Sequence, residues 1–153
     1  MERGNQRVWK LYFALALVQA AHSVEEMLTH LYEFMWIVTG KLHAIFSWYP
    51  QFRMGADVFG ALNMLLIALV LGAVPLVRAR RRGALFFAAI VAIVEIINGV
   101  NHITAAIYFR SYAPGTITAP FLIVFGAGLL HELRREKVLQ LRPVTVASAG
   151  RSN

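Results

Sequence analysis

Within "QAAHSVEEMLTHLYE" (Gln19 to Glu33), His22 is followed by Glu25 and Glu26, directly after the apolar run "LYFALAL". A histidine with carboxylates at i+3 and i+4 is a chelating arrangement on a helix, because those positions share a face. A second set, Glu95, Asn98 and His102, stands in "VEIINGVNHI" (Val94 to Ile103). Mixed nitrogen and oxygen ligands without sulfur suit Zn, Fe or Mn. The chain has no cysteine, so thiolate ligands and disulfides are excluded.

Helical phase sorts these residues. Relative to His22, Glu26 lies at about +40°, Glu25 at about −60°, Thr29 at about −20° and Glu33 at about +20°. They form one stripe about 100° wide, with His30 on its edge at about +80°. Relative to Glu95, Asn98 falls at about −60° and His102 at about −20°, whereas Asn101 points away at about −120°.

The elements that carry these residues follow from composition. The chain has 153 residues, of which 58% are hydrophobic and 15% charged, too apolar for an ordinary soluble domain. Four stretches approach the roughly 20 residues that cross a bilayer: Leu11–Val38, Met54–Val77, Ala84–Phe109 and the shorter Thr116–Leu133. Polar residues interrupt the first and no A-x-A site follows, so it does not read as a cleavable signal. Only helices keep the backbone satisfied in lipid without closing a barrel. The expected fold is therefore all-α, a four-transmembrane-helix bundle over residues 1–138, followed by a disordered cytoplasmic tail at 139–153. Span one is expected to break near "TGK" (Thr39 to Lys41), with "LHAIFSWYPQF" (Leu42 to Phe52) interfacial, and Pro75 to kink the inner end of span two.

Net charge is +7, and its distribution assigns it to topology rather than nucleic acid. Twelve basic residues, including Arg7, Lys10, "RARRR" (Arg78 to Arg82), Arg134 and Arg135, fall on one side; Lys41, Arg53 and Arg110 fall on the other. That is the positive-inside pattern, with both termini cytoplasmic. The expected location is a bacterial inner membrane and the expected partner the lipid bilayer; Gly72, Gly126 and Gly128 are the close-packing points open to a homo-oligomer, which a carrier of only four spans would require.

Depth then links the two polar sets. Counted from Leu11 and Ala84, His22 and Glu95 are each eleven residues in, and Glu25 and Asn98 each fourteen. An unpaired ionised side chain at the bilayer centre costs roughly 2.5–3.5 kcal/mol. No Lys or Arg lies at that depth, which leaves protonation with hydrogen bonding or a bound cation. A hydrogen-bonded network joining the helices would also satisfy these groups. Asp57 and Asn63 on span two are further candidates to approach the site, Asp57 being the better placed. His131 and Glu132 sit roughly 10 Å inward of His22.

Between spans three and four, "YAPGTIT" (Tyr112 to Thr118) carries a type II turn signal at Pro114-Gly115, and Thr118 is placed to cap span four. The motifs H-x-x-E-E (His22 to Glu26), N-x-x-x-H (Asn98 to His102) and Y-x-P-G-x-x-T (Tyr112 to Thr118), in that order, resemble the HXXEE family of small proteins expected to be integral to membranes, whose function is uncharacterised. The resemblance singles out His22, Glu25, Glu26, Asn98, His102, Tyr112, Pro114, Gly115 and Thr118. Glu95 rests on geometry alone.

These observations predict a metal-dependent membrane enzyme, a hydrolase by preference, acting on a lipid-like or apolar substrate. His22, Glu26 and His102 would be metal ligands, with Glu95 or Asn98 a further ligand or orienter. Glu25 would be the general base, and Tyr112 a donor to substrate beneath the covering turn. A proton or metal-ion carrier using the same groups, and a non-catalytic membrane partner subunit, are the alternatives.

Overall fold

A computed structural model describes residues 2–141, with side chains over residues 6–136. All regular structure among the described residues is helical: α1 (Glu2–Leu28), α2 (Leu31–Ile45), α3 (Ala56–Gly72), α4 (Val74–Arg78), α5 (Arg82–Phe109) and α6 (Ala119–Leu141). Two stretches, Ala56–Arg78 and Arg82–Phe109, are long and apolar enough to cross a membrane. Their most apolar windows are only 17% and 33% buried, so most of this apolar surface faces outward. α1 and α6 fall short of that measure because polar residues enter them midway.

The expected first span is divided. His30 takes the left-handed conformation at φ 57°, and the Thr29 hydroxyl turns back to the Glu25 carbonyl at 2.6 Å. α1 therefore ends at Leu28, and α2 restarts from the His30 carbonyl, which accepts from Glu33 and Phe34. α2 then continues through Thr39, Gly40 and Lys41, where a break was expected, and the Thr39 hydroxyl bonds the Met35 carbonyl of its own helix at 2.7 Å. Leu42 to Ile45 belong to α2, and only the remainder of the expected interfacial segment is loop. The phase that grouped Glu33 with His22 assumed an unbroken helix, and the turn removes that basis.

Near Pro75, where a kink was expected, the second apolar stretch is interrupted at Ala73 between α3 and α4. Pro75 stands in the first turn of α4, where its missing N–H costs nothing, and α3 stops at Gly72 just before it. Residues 142–153, most of the expected tail, lie outside the described residues, while α6 continues to Leu141.

α6 lies against both α1 and α5, and α1 also lines α3 and α4. The α5–α6 seam is close because a Cβ on Gly99 would stand 2.7 Å from the Ala119 carbonyl, and one on Gly126 would stand 2.9 Å from the Ala92 carbonyl. Gly126, expected to pack between copies, is thus used within the chain. α1 and α5 barely meet through their backbones, which leaves room between them for side chains.

The interior divides by depth. Toward the inner end it is apolar, with Val8, Leu15, Ala16, Val70, Val77, Ala88, Val91, Leu122 and Leu129 buried together. One hydroxyl enters this region, that of Tyr12, which donates to the Val70 carbonyl at 2.8 Å. Further out, the buried groups are Gln19, His22, Ser23, Glu26, Glu95 and His102, while large apolar side chains such as Leu65, Leu69, Ile93, Ile97 and Ile107 face outward. Arg80 and Glu136 tie the inner loop to α6 in a two-pronged pair at 3.1 and 2.5 Å.

Gly99→Ala and Gly126→Ala should each cost about 1–3 kcal/mol through overpacking against backbone. Gly72→Ala, whose Cβ would meet open space, should not destabilise. Thermal unfolding of the three variants in detergent checks this; equal melting temperatures would contradict the seam.

Candidate metal centre

The two polar helix faces meet rung by rung. Gln19 pairs with Glu95, His22 with Asn98, and Glu26 with His102. Each pair is separated by 76 positions, as two parallel helices in fixed register require. Counting from the inner ends of the spans had given 73. α5 therefore sits three residues, roughly 4.5 Å, away from that alignment.

At the outermost rung, Glu26 Oε1 lies 3.1 Å from His22 Nε2 and 3.1 Å from His102 Nε2. The two rings meet edge to face at 4.7 Å between centroids. His22 is fully buried, and Glu26 and His102 nearly so. One ligand atom from each of the three residues fits within 4.8 Å of the others. Each imidazole is held from behind. His102 Nδ1 is 2.5 Å from the Pro114 carbonyl, which can only accept, so that nitrogen carries a proton. His22 Nδ1 is 2.6 Å from the Thr118 hydroxyl. The Asn98 amide donates to His22 Nε2 at 3.1 Å, and Glu95 stands one turn before Asn98 on the same face of α5.

Gln19 completes the inward rung. With its amide oriented to satisfy both neighbours, it donates to Glu95 at 2.6 and 3.1 Å and accepts from Ser23 at 3.2 Å. Gln19 and Ser23 were not among the expected site residues. The signal for Gln19 was present, since it lies at about +60° from His22 on the same stripe.

The α5–α6 turn closes the site. Thr116 N–H donates to the Ala113 carbonyl at 3.1 Å and Gly115 takes φ 84°, the backbone of a type II turn. A Cβ on Gly115 would stand 2.7 Å from His102 Nδ1 and 2.7 Å from His22 Cε1. The turn backbone thus rests directly on both imidazoles, and a side chain is excluded by space as well as by conformation.

Glu25 faces this turn rather than the imidazole cluster. Its Oε1 accepts from the Tyr112 hydroxyl at 2.7 Å and Ile117 N–H at 2.9 Å. Its Oε2 accepts from Thr118 N–H at 2.9 Å and the Thr118 hydroxyl at 2.6 Å. A carboxylate from α1 therefore caps the start of α6 from outside, where unpaired amides and the helix dipole favour negative charge. Burial, and then the bond to Glu25, raise the Tyr112 phenol above its ordinary range.

The remaining candidates lie apart. Thr29 bonds its own helix. Asn63 donates to the Phe59 carbonyl at 3.2 Å, and Asp57 is exposed in the first turn of α3. Glu132 lies 3.7 Å from both Arg7 and Arg135, and His131 is exposed beside it. His43 Nδ1 is 2.7 Å from the Tyr49 carbonyl, and His30 meets Tyr32 edge to face.

Residues 13–129 match the family described as "Protein of unknown function with HXXEE motif", which covers more than half of the chain. The protein belongs to that family, and the H-x-x-E-E motif that describes it supplies His22, Glu25 and Glu26 to this site. No curated protein and no solved structure matches the chain.

A phenol with a raised folded-state pKa supports the fold while protonated. That support is complete below about pH 10 and is lost as the pH rises through the folded value. Tyr112→Phe should therefore lower the melting temperature at neutral pH, by an amount corresponding to about 0.5–1.5 kcal/mol, and the gap to wild type should close under alkaline conditions. A gap independent of pH in thermal melts would contradict the Tyr112–Glu25 bond.

Proposed function

We propose that the protein is an integral membrane protein of four spans, with His22, Glu26 and His102 binding one divalent metal ion and the site working as a metal-dependent hydrolase on a lipid-like substrate. The observation that carries this reading is the pair of imidazole Nε2 atoms, both 3.1 Å from one carboxylate oxygen, with both Nδ1 atoms held by oxygen. Imidazole–carbonyl or imidazole–hydroxyl bonds behind the ligand nitrogen are what metal-binding histidines ordinarily make. Bonds of about 2.0–2.1 Å to zinc put neighbouring ligand atoms on the order of 2.9–3.4 Å apart, and the two His–Glu spacings fall in that range. Two histidines and one glutamate also leave a coordination position open, as catalytic zinc sites do.

A divalent ion held by His22, Glu26 and His102 would supply a bound water of lowered pKa. Glu25, first expected as the base, already accepts four hydrogen bonds, which weakens it as a proton acceptor. Glu95, buried, held by Gln19 and one helical turn before Asn98, is the carboxylate left for that role.

The membrane reading is supported by the outward apolar faces, the polar interior and the twelve-to-three division of basic residues. Beside the Glu25–Tyr112 edge, Val24, Leu28, Ile117 and Phe121 are all more than half exposed. An apolar rim next to a polar cluster suits a substrate that arrives from the bilayer. The polar rungs end at Gln19 and Glu95, above an apolar inner core, which favours a one-sided site over a carrier that needs polar groups through both leaflets.

Metal analysis of detergent-purified protein should give about one Zn, Fe or Mn per chain, lost in His22→Ala and in His102→Ala. Glu95→Gln should keep the metal and lose hydrolysis of a lipid ester by roughly 100-fold or more. A folded wild type that takes up none of the three metals would overturn the assignment.

A further inference from the structure

Glu25 touches neither imidazole, yet it is joined to His22 through a single hydroxyl. Thr118 Oγ1 lies 2.6 Å from Glu25 Oε2 and 2.6 Å from His22 Nδ1. A hydroxyl has one proton to give. A carboxylate oxygen takes that proton in preference to a neutral ring nitrogen, because a hydrogen bond to a charged acceptor is the stronger one. The only other oxygen in reach, the Gly115 carbonyl, is more distant at 3.4 Å. With its proton on Glu25, Thr118 Oγ1 can only accept from His22, and Nδ1 of His22 must be the protonated nitrogen.

The far side of the ring has two neighbours. Asn98 presents its amide nitrogen to His22 Nε2 at 3.1 Å, and an amide N–H can bond that atom only if it is bare. Glu26 Oε1 is also 3.1 Å from Nε2, and a bare Nε2 meets it favourably only with a proton or a cation between the two atoms. The Thr118 side is therefore what fixes the tautomer. The two glutamates of the motif then divide the work: Glu26 faces the cluster, and Glu25 sets the state of the histidine from behind.

We infer that Glu25 is a positioning residue that acts through the Thr118 hydroxyl to fix His22 as its Nδ1–H tautomer, keeping Nε2 bare for a cation. The link to metal binding rests on the proposed function above; the tautomer itself does not. The same carboxylate caps α6, so the relay and the helix start are built from one group. Thr118 therefore needs a hydroxyl at this position, while its methyl group is dispensable.

The test uses full-length, metal-free protein in detergent, with ¹⁵N-labelled histidine, at about pH 8, above the ordinary imidazole range near 6.5. Imidazole nitrogen shifts, assigned by comparison with His22→Ala, should show Nδ1 protonated and Nε2 bare in wild type and in Thr118→Ser. Thr118→Val removes the acceptor and should populate the Nε2–H form. Glu25→Gln, which keeps the hydroxyl but lets it turn toward the ring, should do the same should Thr118→Val not fold. In zinc competition with a chelator, Thr118→Val should weaken binding about 10–100-fold, with Thr118→Ser near wild type. Wild-type His22 in the Nε2–H form, or an unchanged tautomer in folded Thr118→Val and Glu25→Gln, would overturn the relay. The expected tautomer shifts in a protein that binds no zinc would support the relay and sink the metal assignment instead.

Discussion

A carboxylate removed from water must be met by hydrogen bonds or by charge, and Glu26 is such a group. Its Oε1 is shared between two imidazoles from different helices at equal distances. The cost of leaving an ion of this kind unmatched in a low-dielectric interior is several kcal/mol, comparable with the whole net stability of many domains. The positions of His22 and His102 are therefore fixed by Glu26, and the register of α1 against α5 follows from them. The constant separation of 76 positions across three rungs is that constraint seen in sequence numbers.

The α5–α6 turn enforces the same geometry from the other side. Pro114 supplies the carbonyl behind His102, Gly115 lets the backbone lie on both rings, and Thr118 supplies the hydroxyl behind His22. Glu25 then binds the turn to α1 through four donors. Three segments far apart in the chain are thus mutually dependent: α1 positions the turn, the turn orients the imidazoles, and the imidazoles bracket the carboxylate on α1. α6 lies against both helices because its first residues complete this arrangement, and Gly99 and Gly126 allow it to lie close enough.

Much of the site was legible in the sequence because helical phase is a strong constraint on short segments. His22, Glu26 and His102 could be brought together from spacing and depth, and Gly115 from the turn signal alone. The misjudged features share one cause. Depth counted from apolar boundaries assumed unbroken helices starting level, so the register came out one turn away, and Glu33 was grouped across the break that His30 makes. No spacing rule signals a histidine in the left-handed conformation. The partners of Glu25 were likewise hidden, because a carboxylate capping a distant helix leaves no periodic trace. Gln19 was overlooked although its phase was right, since one amide in an apolar half-span carries little weight until Glu95 is seen opposite it.

The central claim is that two imidazoles and one carboxylate from α1 and α5 converge on one cation. X-ray absorption at the zinc edge of the reconstituted protein addresses it directly, because imidazole rings give a distinctive outer-shell pattern. The account predicts two imidazole nitrogens and carboxylate oxygen at about 2.0–2.2 Å, with one imidazole lost in His102→Ala. A spectrum without histidine scattering, or one that His102→Ala leaves unchanged, would contradict it.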